Sequence, residues 1–126
     1  MIEIFAIITC LLLASLAVFQ LALTFGAPLG KYAWGGQHTV LPKKLKISSA
    51  SSLFIYAIFA AIILSKVEVV PLISGQVFLN IMIWILAVYF WLGVVVNGIS
   101  RSKPERNLMT PVASVLALLT TYIALG

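Results

Sequence analysis

Gly26 to Ser49 reads GAPLGKYAWGGQHTVLPKKLKISS, and it is the one long interruption in an otherwise apolar chain. It holds four of the eight basic residues, the single histidine and two of the five prolines. Its glycines at 26, 30, 35 and 36 are spaced for turns, with neither the Walker nor the dinucleotide-binding pattern. The apolar runs on either side are each long enough to cross a hydrocarbon core, which takes about 20 residues. The stretch is therefore a polar loop held at a membrane face, and the rest of the chain is read as what positions it.

Working outward, four apolar runs emerge, at about 4–25, 42–65, 76–98 and 103–125. They predict an all-α membrane protein: a single domain, residues 1–126, folded as an antiparallel four-helix transmembrane bundle with a long cytoplasmic loop between helices 1 and 2. Composition agrees. The chain is 63% hydrophobic and 9% charged, against roughly 25% charged in ordinary soluble domains. Gly26 and Pro28 punctuate the end of the first run. Pro42 suits the first turn of the second helix, where no backbone donor is required. Ser102 and Glu105 have capping-box spacing, with Pro104 between them. That starts the fourth helix before Pro111, which breaks the backbone hydrogen-bond ladder at that point.

The charge pattern orients the bundle. Lys31, Lys43, Lys44, Lys46, Arg101, Lys103 and Arg106 flank loops one and three, whereas Lys66 stands alone at loop two. Basic residues are retained on the cytoplasmic side. This predicts a plasma-membrane protein with loops one and three cytoplasmic and both termini outside. A net charge of +5 borne on residues flanking apolar spans points to anionic lipid headgroups as partners, not to nucleic acid. A protein partner or a second copy of the chain would also use such a face.

Chemistry-bearing residues are few. Cys10 is the only cysteine, so thiol chemistry that needs a pair is excluded, and no cluster has metal-ligand spacing. No cofactor is implied. Glu3, Glu68 and Glu105 all fall at span ends, which leaves no acid in mid-membrane for proton coupling. The intramembrane polar candidates are Gln20, Asn80, Trp84 and Asn97. Gln20 either bonds a neighbouring helix or lines a cavity. Asn80, Trp84, Ala87, Trp91, Val94 and Gly98 recur at helical spacing, and this stripe is expected to face the bundle interior. Trp34, His38, Arg101 and Arg106 are the candidate ligand contacts: an aromatic face, a proton carrier and two guanidinium groups suited to phosphate or carboxylate. Glu105 is explained as a helix cap and arginine partner.

Function is read as a binding or accessory membrane protein that docks a lipid, an anionic ligand or a partner protein on its basic face. The alternatives are a membrane enzyme acting on an amphipathic substrate through His38 or Glu105, and a small oligomeric channel. The orientation is open to direct test. A cysteine introduced at Ser102 is expected to react with an impermeant thiol reagent only after cells are permeabilised; labelling in intact cells would reverse the topology.

Overall fold

The computed structural model describes all residues from Met1 to Gly126. The chain is all-helical, with α1 Ile2–Thr24, α2 Lys43–Lys66, α3 Gln76–Gly98 and α4 Lys103–Leu125. Each of the four is long and apolar enough to cross a membrane. At 1.5 Å per residue, 23 residues reach about 34 Å, slightly more than a hydrocarbon core of about 30 Å. Only 23 of 126 residues are buried, and large apolar side chains such as Phe54, Val77 and Leu92 lie open on the outer surface. An aqueous surface of that kind would aggregate; a lipid-facing one has no such penalty.

Local chemistry sets the ends. Ser102 caps α4, its hydroxyl accepting the Glu105 amide at 3.4 Å, and Pro104 occupies the first turn. The helix runs unbroken through Pro111. Pro42 caps α2 instead of sitting in its first turn, with extended backbone at φ −67° and ψ 162°. At the far end of α2, the Ser65 hydroxyl accepts the amides of Leu72 and Ile73 at 3.1 and 2.9 Å and donates to the Val70 carbonyl at 3.4 Å. One buried serine thus folds the connection to α3 back on its own helix end.

The helices neighbour one another in the cycle α1, α2, α3, α4 and back to α1. The α3–α4 interface is the most extensive and the α2–α3 seam the slightest. Ala6, Leu13, Ile62, Ile63, Ile83, Leu86, Leu116, Ala117 and Ile123 form the core. At the terminal end, Phe5 meets Tyr122 edge to face at 4.8 Å. On the α2–α3 seam, Phe59 packs edge to face on Tyr89 and Phe90 at 5.2 and 5.7 Å.

The face α3 turns inward differs from the one its tryptophans suggest. Leu79, Ile83, Leu86, Ala87 and Phe90 are buried, while Asn80 is exposed and Trp84 and Trp91 are 43% and 42% exposed. Of the Asn80–Trp84–Ala87–Trp91 stripe, only Ala87 is buried. The interior face is thus rotated by about one residue, or roughly 100°. Periodicity misleads here because lipid accepts apolar side chains on every face, so a hydrophobic stripe does not mark the core. Trp91 still satisfies its N–H, donating to the Thr121 hydroxyl on α4 at 2.9 Å. Asn80, Ile81, Trp84, Ile85 and Val88 line a shallow groove on the outer side of α3 alone.

The reversed face gives a paired prediction. Ile83→Ala is expected to cost about 2–5 kcal/mol, the range for emptying a packed aliphatic site, whereas Trp84→Leu costs under about 1 kcal/mol. Unfolding of both variants in mixed micelles reads the difference, and equal losses would restore Trp84 to the interior.

Candidate functional site

The segment between Thr24 and Lys43 is built as two short 3₁₀ turns, Gly30–Tyr32 and Trp34–Gly36, joined at Ala33. Close packing holds the first. The Gly30 amide donates to the Thr39 carbonyl at 2.8 Å, and a Cβ on Gly30 would run into the His38 carbonyl oxygen. Leu23, Ala33 and Leu41 bury together under this turn, giving the segment a small core of its own.

The second turn carries the strain. Trp34, Gly35 and Gly36 have φ of 51°, 79° and 72°, all in the left-handed region. For tryptophan this costs about 1–2 kcal/mol, so outside contacts must hold it. The Trp34 indole N–H donates to the buried Ser49 hydroxyl on α2 at 3.0 Å. The Gly35 amide donates to the Glu105 carboxylate on α4 at 3.2 Å. The Ser102 hydroxyl donates to the Lys31 carbonyl, and a Cβ on Gly36 would collide with that same serine side chain. Three bonds, at about 1 kcal/mol each and more where charge is involved, outweigh the strain. They fix the segment to α2 on one side and to the start of α4 on the other.

Beneath this turn lies a cavity of about 480 Å³. Its walls are the later half of α1 (Leu16, Phe19, Gln20), the early half of α2 (Ser52, Tyr56), the later half of α3 (Tyr89 to Asn97) and the early half of α4 (Glu105 to Leu116). Ala33, Trp34 and Gly35 form the roof. The bundle is therefore filled at the terminal end and hollow at the other. Tyr89, Leu92 and Val96 line the cavity and are also 50%, 60% and 63% exposed, so the α3 side is not sealed. A volume of this size falls within the roughly 300–1,000 Å³ of ligand pockets.

Glu105 is the charged group here. It is 7% exposed, it lines the cavity, and it is the only charged residue that does. No cation pairs with it; the sole ion pair in the structure joins the N-terminal amine to Glu3. Its place in the first turn of α4 gives dipole stabilisation of about 0.3–1 kcal/mol, and the Gly35 amide adds a hydrogen bond to the carboxylate. Gln20 presents a second acceptor, its Oε1 being buried with no hydrogen-bond partner. Asn97 also lines the cavity, its amide donating to the Gly93 carbonyl at 2.8 Å.

The four candidate ligand contacts separate. Trp34 is in the cavity roof, whereas His38 and Arg101 are exposed and, like Arg106, absent from the lining. Arg106 donates to the Ser100 carbonyl at 3.2 Å. Of the polar span residues, Gln20 and Asn97 meet in the cavity, while Asn80 and Trp84 lie on the outer groove of α3.

No protein-family model, curated protein or solved structure gives a match to this chain. The site is therefore read from its own geometry. Glu105 is the residue whose role the sequence understated. Its capping-box spacing is real, but only half of the box forms: the Ser102 hydroxyl takes the Glu105 amide, while the carboxylate turns away to Gly35 and the cavity. The left-handed Gly35–Gly36 pair, able to offer an amide to an acid, was the available signal.

Proposed function

We propose that this is an integral membrane binding protein that holds an amphipathic ligand within the bundle. The polar end of the ligand lies under the Trp34–Gly36 turn, and its apolar part leaves through the α2–α3 seam into lipid. The observation that carries this reading is the cavity itself, polar at Gln20, Ser52, Asn97 and Glu105, apolar elsewhere, and open beside exposed Leu92 and Val96. A ligand entering sideways would never leave the membrane, and the slight α2–α3 interface is the least costly one to part.

In this reading the helices form an antiparallel single domain, and the end bearing the cavity roof faces the cytoplasm at the plasma membrane. The seven basic residues at that end seat it against anionic headgroups. Lys44 and Lys43 are exposed at the start of α2, where their stems can snorkel along the bilayer surface. The basic face is then an anchor, and Trp34 is the one sequence-derived contact that touches ligand. His38, Arg101 and Arg106 act at the headgroup level or on a partner protein. Binding is favoured over catalysis because His38 lies outside the cavity lining, apart from Glu105.

Trp34 itself reports on the idea. In a Trp84→Phe/Trp91→Phe background, a monoacylglycerol brominated along its chain is expected to quench the remaining emission saturably. Ser52→Phe, which fills the cavity, should weaken that binding at least tenfold. Quenching that never saturates, or that is indifferent to the filled cavity, would remove the reading.

A further inference from the structure

The cavity contains an acid with no counter-ion, and the lining includes no lysine, arginine or histidine. We infer that the polar end of the ligand is an ammonium-type cation, seated between the Glu105 carboxylate and the aromatic rings of Trp34 and Tyr56. This rests on the cavity being a ligand site, and it adds the charge of the ligand, which the sequence places the other way by pointing to anions.

Three independent features support it. Glu105 is more than nine-tenths buried, and the Gly35 amide is its only hydrogen-bond donor to the side chain. A carboxylate offers about four acceptor positions, so most of its capacity is unused by the chain. The nearest guanidinium in sequence, on Arg106, makes no ion pair with it and donates to the Ser100 carbonyl. No basic side chain of the chain pairs with this acid, and in this inference the positive charge comes from the ligand.

The second feature is Gln20 on the neighbouring α1 wall, whose buried Oε1 lacks a donor. An anionic head would add acceptors to acceptors. A primary ammonium brings donors as well as charge, and a quaternary one would answer the charge alone. The third feature is the aromatic character of the polar zone, where Trp34, Tyr56 and Tyr89 share the lining with Glu105. Ring faces attract cations, and they recognise alkylammonium heads without needing a hydrogen bond. The lysines and arginines at the same end of the bundle lie outside the lining, so they do not cancel the acid from within. The two charge systems have separate tasks: the outer one addresses the membrane surface, the inner one the ligand.

The test uses the full chain in nanodiscs of neutral lipid and three brominated probes of equal chain length. Their heads are trimethylammonium, glycerol and sulfate, and binding is read from Trp34 emission in the Trp84→Phe/Trp91→Phe background. The trimethylammonium probe is expected to bind at least tenfold more tightly than the glycerol probe, and the sulfate probe more weakly than either. Glu105→Gln keeps an acceptor for the Gly35 amide and should abolish the preference for the trimethylammonium probe over the glycerol probe. Equal or tighter binding of the glycerol or sulfate probe to the parent protein would overturn the inference and leave the cavity reading standing. Binding by none of the three would overturn the cavity reading itself. An unchanged preference in Glu105→Gln would also overturn the assignment, since the charge would then be sensed elsewhere. Selectivity of the parent protein decides the matter even where that variant proves too unstable to purify.

Discussion

The hydrogen bond from the Gly35 amide to the Glu105 carboxylate joins residues 70 positions apart, and much of the structure follows from it. A left-handed turn is needed to present that amide, which requires the glycines and forces Trp34 into a conformation that other bonds must hold. The same contact draws the acid away from water and from its own helix cap. It also ties the roof of the cavity to the start of α4.

The roof and the floor are made in different ways. At the terminal end, close-packed aliphatic side chains and the Phe5–Tyr122 contact fill the bundle. At the other end a segment anchored to α2 through Ser49 and to α4 through Glu105 roofs the cavity. Packing in a membrane has little hydrophobic drive, because lipid is as apolar as a leucine core. Polar straps of this kind therefore supply order that side-chain packing alone does not, and they leave a chamber where packing has been withheld.

The helices were legible because their lengths and caps are local properties. Ser102 and Pro104 mark the start of α4, and the bilayer length criterion picks out all four spans. The inward face of α3 was not legible, since Ile83 and Trp84 are equally acceptable to lipid and only tertiary packing distinguishes them. The site was legible in part. Trp34 and Gln20 stand out as unusual in their settings, and both line the cavity. Glu105 resisted because an acid at a helix start already has a sufficient local explanation. Its burial depends on a turn far away in sequence, and no short-range pattern records that.

The central claim is that the Glu105 carboxylate locks the Trp34–Gly36 turn over the cavity. Hydrogen exchange at the Gly35 amide measures this lock directly, in the parent protein and in Glu105→Ala. The parent amide is expected to be protected to the level of the helix interiors. The alanine variant, which leaves that donor without its acceptor, should exchange there at least tenfold faster while the α1 and α3 amides are unchanged. Equal protection in both proteins would mean that the turn is held by something other than this bond.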